Sequence, residues 1–267
     1  MSEAQDQQHE ASAPEAEGPG PELSIVIPIY NEERILEHSV NELFTELEAA
    51  EPGLEFEVLL AENGSKDATV LIAERLAERY GGRLRCFSYP EPNYGGALRE
   101  GIFRARGKFV ICEEIDLCNV DFHQRALALL RDDEADLIIG SKAMAGAHDK
   151  RPLLRRTATK VYNGLLRVSL GFSGTDTHGL KALRRAAVAP VAARCIVEYD
   201  VFASELVIRA EREGLRVFEI PVEIEEKRAP SINLTKRVPR VLANLGRLMV
   251  SVHLGRDPAD FGLDRRR

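Results

Sequence analysis

From Ser24 onward the chain alternates two textures: unbroken apolar runs of strand length, and longer stretches where apolar residues recur every three or four positions. "SIVIPI" reads as a first strand. Val40, Leu43 and Leu47 then recur at helical spacing, with Asn31 placed to cap that segment and Glu32 and Glu33 favourable in a first turn. Phe56 to Leu60 is a second strand, followed by the turn "ENGSKDAT" and a helix through Leu71, Ile72 and Leu76. "RLRCFSY" and "GGALREGIFRA" give the third strand and helix. "KFVICEE" is a fourth strand, residues 123–131 a helix, and "ADLIIGS" a fifth strand. Further on, a basic segment runs into a helix ending near Gly171, and "GTDTHGLK" is a loop entering a short strand. Residues 201–213 read as helix, "LRVFEIPVEI" as strand, and 237–254 as a final amphipathic helix with Pro239 confined to its first turn.

Strands alternating with helices predict an α/β fold, a Rossmann-like, mostly parallel sheet flanked by helices. Ligands in such sheets bind beyond the carboxyl ends of the strands. The polar motifs "YNEE", "ENGS", "EEID" and "GSK" all fall at predicted strand ends, a coincidence that outweighs any one of them. The glycine pair of "NYGGALREG" opens a helix and would let backbone N–H groups approach an anion, but the G-x-G-x-x-G spacing of a dinucleotide site is missing.

Composition changes this picture at the start of the chain. Residues 1–22 carry six acids and no Lys or Arg; subtracting them from the net charge of −7 leaves −1 for the rest. That Ala/Glu/Pro/Gly-rich opening predicts a disordered acidic tail (1–22) ahead of a folded domain (23–235) and a C-terminal helix and tail (236–267). The near-neutral body gives no reason to invoke a nucleic-acid partner. Four cysteines without CxxC spacing imply reduced thiols, and no run reaches the length of a membrane span or a secretory signal. A cytoplasmic placement follows. The final helix, with Val241, Leu242, Leu245, Leu248 and Met249 among arginines, leaves open peripheral contact at the inner face of the membrane, although packing on the domain is the favoured reading.

The carboxylates of "FVICEEIDLCNVDF" carry the chemistry. Like charges clustered at the end of an apolar strand need compensation by solvent, basic partners or a metal ion. If the chain stays extended, Glu114 and Asp116 share one face, roughly 6–7 Å apart, an edge suited to Mg²⁺ or Mn²⁺. Glu62 closes an apolar strand and is placed to accept from a nucleobase N–H. Six cations between Lys142 and Lys160 form either a solvated helix face or a phosphate site. His178 reads as structural and Glu205 as one partner of a salt bridge at the core edge.

Together "SIVIPIYNEE", "AENGSKDAT", "NYGGALREG" and "EEID" resemble glycosyltransferase family 2, the inverting enzymes of the GT-A fold, over roughly residues 24–235. "GSK", "TKVYNGLLR", "GLKALRR", "ELVIRAEREGLRVFEIPV" and "KRAPS" narrow the likeness to polyprenyl-phosphate sugar synthases such as dolichol-phosphate mannose synthase. The resemblance implies a nucleotide-diphosphate sugar donor (a GDP- or UDP-sugar) held by Pro28, Tyr30, Asn31, Glu32, Glu62 and Gly95. It also implies Mg²⁺ or Mn²⁺ on Glu114 and Asp116, and a lipid-phosphate acceptor held by Lys142, Arg155, Arg156 and Arg228. A phosphate acceptor is already a nucleophile at neutral pH, so Asp116 and Arg155 carry the catalytic weight. A hydroxyl acceptor would instead require a base, for which Asp200 and Asp176 are candidates. The chain departs from the family pattern at Asn63 (for an aspartate), at Lys142 (for the arginine of "GSR") and at "GLK" (for "GFR"), and around the metal turn Glu114 stands for the first aspartate of D-x-D and Cys118 for a glutamine. They keep a rival reading alive, a non-catalytic nucleotide-sugar-binding protein.

Overall fold

The computed structural model describes residues 20–144, 148–149, 153–197, 199–224 and 234–254. In chain order the elements are β1 (Leu23–Ile29), α1 (Leu36–Ala50), β2 (Phe56–Glu62), α2 (Thr69–Tyr80), β3 (Leu84–Ser88), α3 (Tyr94–Arg104), β4 (Phe109–Cys112), α4 (Val120–Arg131), β5 (Leu137–Ser141), β6 (His148–Asp149), α5 (Leu153–Leu170), β7 (Lys181–Arg184), α6 (Arg185–Arg194), α7 (Phe202–Arg212), β8 (Val217–Pro221), β9 (Glu223–Ile224) and α8 (Leu234–Leu254). Seven strands form one sheet in the order β3-β2-β1-β4-β7-β5-β8.

Every described pairing in that sheet is parallel except those of β7, which runs antiparallel between β4 and β5. The unbroken apolar runs are explained by burial on both faces. Alternate residues of β1 serve different cores: Ile25, Ile27 and Ile29 pack with α1, α2 and α4, while Val26 packs with α3, α5, α6 and α7 on the other side.

The last helix begins at Leu234, so Pro239 lies in its second turn rather than its first. Leu245 and Leu248 are buried in the second core, and Ser251 Oγ accepts from Arg209 at 2.6 Å. Packing on the domain, the favoured sequence reading, is what α8 does. Among the described residues no helix is long and apolar enough to cross a membrane.

One feature of β1 prepares the site. Val26 O accepts from Glu113 N–H, so Val26 and, two residues on, Pro28 face β4. The last β1–β4 pair is Val26 with Cys112, so the missing N–H of Pro28 falls where β4 has already ended. The sheet opens there, at the carboxyl ends.

Candidate nucleotide-sugar site

Two loops after β1 and β2 are bolted together. Asn31 N–H donates to Ser65 Oγ (3.0 Å), and Asn31 Oδ1 accepts from Lys66 N–H (2.8 Å). Glu32 N–H donates to Thr69 Oγ1 (2.7 Å), and Glu33 Oε2 accepts from Ala68 N–H (3.1 Å). Asn31 therefore caps no helix: α1 starts only at Leu36, and Asn31 sits at φ +55°, a region its short amide tolerates. Asn63 donates from both its backbone N–H and its amide to Ile29 O (3.1 and 3.0 Å), which gives the asparagine a structural reason. Glu62 is buried, and its carboxylate accepts from Ser65 N–H at 2.5 Å. Tyr30 and Asn31 stand exposed above this platform, Glu32 is half-buried, and Pro28 is buried in the strand.

The glycines of "NYGG" serve close packing. A Cβ on Gly95 would lie 2.4 Å from Tyr199 O, and one on Gly96 would lie 2.6 Å from the Tyr89 ring. Asn93 caps α3 by accepting from Gly96 N–H (2.9 Å) and also accepts from Tyr199 N–H (3.0 Å). The 3-10 turn Tyr199–Val201, which carries Asp200, is thereby set against the start of α3. The side chain of Asp200 lies outside the described residues.

The acidic segment departs from the extended expectation. The chain turns immediately after β4, with Leu117 N–H donating to Glu114 O at 3.0 Å. Glu114 and Asp116 are thus presented by a turn, the first exposed and the second half-buried, and not by strand alternation. Glu113, passed over as a site residue at the sequence level, goes inward and is hydrogen-bonded to His123 Nε2 at 3.0 Å. Cys118, at φ +30°, turns its thiol to the carbonyls of Ile115 and Ser39 (3.6 and 4.0 Å).

A second assembly is built from residues distant in sequence. Asp176 is buried, and accepts from His178 N–H (2.8 Å) and Lys142 N–H (3.4 Å). Glu219 of β8 accepts from Thr175 N–H, Thr175 Oγ1 and Asp176 N–H at 2.6, 2.6 and 3.1 Å. Asp176 is thus committed to holding backbone, which leaves it poorly placed as a base. His178 is bonded through Thr177 Oγ1 to Ser204 Oγ, and Tyr162 OH meets the same Ser204. Glu205 is fully buried. It accepts from Ile196 and Val197 N–H (3.0 and 2.6 Å) and from Arg209 (2.7 Å), and burial raises its pKa above the ordinary carboxylate range despite those donors.

Lys181 is the functional candidate that sequence reasoning missed. It begins β7, pairs with Cys112 and Ile139, and is buried, its Nζ donating to Gly179 O at 2.8 Å. Burial pulls its pKa down to about 8, against the attraction of Asp176 and Glu114. The signal was a lysine between apolar neighbours in "GLKAL". Lys142 is half-buried and Arg156 exposed on α5. Arg155 lies on the same helix with its side chain outside the described residues, and Arg228 falls outside them altogether.

Two hard carboxylates on one turn suit a divalent cation that completes its shell with water and substrate phosphate. Among the described residues no group of three His, Cys, Asp or Glu forms a closed metal cage. The donor set of Glu114 and Asp116 fits Mg²⁺ or Mn²⁺ held jointly with a ligand.

Residues 24–190 match the sequence profile of glycosyl transferase family 2. Glycosyltransferase AglD of Haloferax volcanii is 34% identical over 222 residues, covering 82% of this chain but 35% of that protein, so the chain spans about a third of its length. Dolichyl-phosphate beta-glucosyltransferase of Drosophila melanogaster is 30% identical over 226 residues, 79% of this chain and 69% of the relative. Among solved structures, glucosyl-3-phosphoglycerate synthase from Mycobacterium tuberculosis, in complex with Mn²⁺, UDP and phosphoglyceric acid, superposes with a TM-score of 0.62 at 22% identity. That match covers 86% of this chain and 79% of the other, and is a likeness of fold.

Proposed function

The chain belongs to glycosyl transferase family 2, and from that premise we propose that it moves a glycosyl group, with inversion, from a UDP- or GDP-sugar to a polyprenyl-phosphate-type acceptor. The carrying observation is the single edge where the ends of β1, β2 and β4 meet: an exposed Tyr30–Asn31 loop, buried Glu62, and the Glu114–Asp116 turn. Tyr30, Asn31 and Glu32 with Glu62 hold the nucleoside, Pro28 keeps the strand end open, and Gly95 brings the Asp200 turn close.

Glu114 and Asp116 would hold Mg²⁺ or Mn²⁺, which would neutralise charge growing on a departing diphosphate. The acceptor phosphate oxygen attacks the anomeric carbon as the bond to the diphosphate breaks, and no proton has to be removed first. Lys142, Arg155, Arg156 and Arg228 fix that phosphate, with Lys181 adding positive potential from beneath. The buried Asp176, engaged with backbone, fits a phosphate acceptor better than a hydroxyl; Asp200 is the base if the acceptor is a hydroxyl.

An exposed apolar stripe supports peripheral membrane contact. Val161, Leu165 and Val168 are 61%, 44% and 91% exposed at i, i+4 and i+7 on α5, beside the exposed Arg156 and Lys160. The test is transfer from radiolabelled UDP- and GDP-sugars to a short-chain polyprenyl phosphate, with Mn²⁺ and with EDTA. Metal-dependent transfer to the phosphate is expected. Transfer only to the free polyprenol or to a glycan hydroxyl would overturn the reading.

A further inference from the structure

Glu113 and His123 form a buried polar pair beneath the acidic turn that the proposed mechanism does not use. Both side chains are essentially sealed from solvent, yet Glu113 Oε1 and His123 Nδ1 have no partner among the described residues. A buried polar pair left half-satisfied is costly, and apolar residues of similar volume usually replace such pairs without loss of stability. Stability alone is therefore a poor account of the pair.

Its connections tie the turn above it to the fold. Glu113 N–H is fixed to Val26 O of β1 at 3.2 Å. Its Oε2 bonds both His123 Nε2 (3.0 Å) and Asn119 N–H (3.3 Å). One carboxylate thus joins the two ends of the segment 113–119 and ties them to α4. Asn119 is fixed a second time, its Oδ1 accepting from Phe122 N–H at 2.9 Å. Between these anchors lie Glu114 and Asp116, closed into a turn by the Leu117 N–H to Glu114 O bond. A cation held by only two protein carboxylates depends on how well they are pre-positioned, because each must otherwise give up conformational freedom on binding.

We infer that Glu113 and His123 are positioning residues that fix the Glu114–Asp116 turn in its cation-binding shape. The inference rests on the cation reading of that turn and deepens it. The full-length protein is titrated with Mn²⁺ alone, following loss of the free-ion EPR signal, and thermal melting is recorded in parallel. The double variant Glu113→Leu/His123→Leu removes the tether and both unpartnered atoms together. It is expected to melt at or above the wild-type temperature while its Mn²⁺ Kd rises about tenfold. Glu113→Gln keeps an acceptor for Asn119 and is expected to stay within about threefold of wild type; should the double variant not fold, Glu113→Ala, which removes the tether alone, is expected to raise the Kd about tenfold, and a wild-type Kd there overturns the inference. A folded double variant with wild-type Kd, or a folded glutamine variant as weak as expected for the double one, overturns the inference. Asp116→Asn separates the failures: if it abolishes Mn²⁺ binding while the tether variants do nothing, only the tether is wrong, whereas a wild-type protein that takes up no Mn²⁺ removes both readings.

Discussion

The two sides of the candidate site are held by different means. On the donor side, neighbouring loops after β1 and β2 clasp each other through backbone N–H groups and short side chains: Asn31 with Ser65 and Lys66, Glu32 with Thr69. On the acceptor side, single carboxylates each gather several donors, the half-buried Glu219 across 44 residues of sequence and the fully buried Glu205 across eight or nine. Glu219 holds Thr175 and Asp176, while Glu205 holds Ile196 and Val197. The first design spreads its stability over many modest bonds. The second concentrates it in a few groups whose loss strands several partners at once. Substitutions should therefore damage the donor side mainly in chemistry and the acceptor side in stability as well.

The largest effect tests the donor side. Asp116→Asn should reduce transfer by about a thousandfold or more, since it removes one of two charged ligands where leaving-group charge develops. Its melting temperature should match the wild type. Unchanged turnover, or full activity in excess EDTA, would show that the turn carries no cation.

Arg155 and Asp200 discriminate between acceptors on the other side. Loss of a charge-assisted contact costs about 1.5–3 kcal/mol, so Arg155→Ala should lower acceptor efficiency roughly 10- to 150-fold and leave donor affinity alone. Arg155 and Arg156 diverge by about 100° on their helix, so the second arginine should matter much less. Should Asp200→Asn eliminate turnover while Arg155→Ala is harmless, the acceptor is a hydroxyl.

Glu205→Ala probes the concentrated design directly. It strips Arg209 of its carboxylate partner and leaves two backbone N–H groups unpaired in the core, and should destabilise the protein by about 3–5 kcal/mol in chemical denaturation. Asn31→Ala, on the donor side, should cost about 1 kcal/mol while weakening nucleotide binding. Equal losses of stability would erase the contrast.

The same contrast marks what could be read from the chain alone. β1 to β5 and the helices between them were legible because each apolar run or 3.6-residue stripe reports its own burial, and strand-end motifs lie within a few residues of their strands. α6 was not: Ala, Val and Pro190 ring it without a stripe. The antiparallel direction of β7 was hidden because pairing belongs to the neighbours, not the segment. Glu113, Glu219 and Lys181 escaped for a shared reason: a charged side chain in an apolar context signals exposure unless its partner is known. The partner of Glu219 lies 44 residues away.

Lys181 offers a smaller and pH-dependent test. Its folded pKa of about 8 lies below the ordinary 10.5, so the native state is penalised by the buried charge at pH below 8. Between those values the unfolded chain binds more protons than the native one, and this lysine's contribution to stability rises with pH. The buried thiols of Cys86 and Cys112, raised to about 11 and about 12, act in the opposite sense. Wild type must therefore be compared with Lys181→Met, in which they are shared. The stability of wild type relative to that variant should increase from pH 8 to 10.5; a constant difference would mean that Lys181 keeps an ordinary pKa.

The smallest effect lies at the start of the body, where the predicted tail and the sheet meet. Leu23 opens β1, but Glu22, placed in the tail by composition, already belongs to the structure. Its carboxylate accepts from Arg131 at 2.8 and 3.1 Å, and its carbonyl accepts from Phe109 N–H at 2.9 Å. The hydrogen bond from Arg131 outweighs partial burial and holds the Glu22 carboxyl below its usual pKa. That stabilisation is present above the unfolded-state pKa and disappears as pH falls through the folded one. Deleting residues 1–19 should leave both melting temperature and donor affinity unchanged. Deleting through Glu22 removes both the half-exposed ion pair and the acceptor of Phe109 N–H, and should cost about 1–2 kcal/mol at pH 7 with no change in donor affinity. At pH 3 the two truncations should come closer together in stability. A loss of donor affinity in either would mean that the opening residues reach the strand-end loops, and the separation between a stabilising start and a catalytic edge would have to be redrawn.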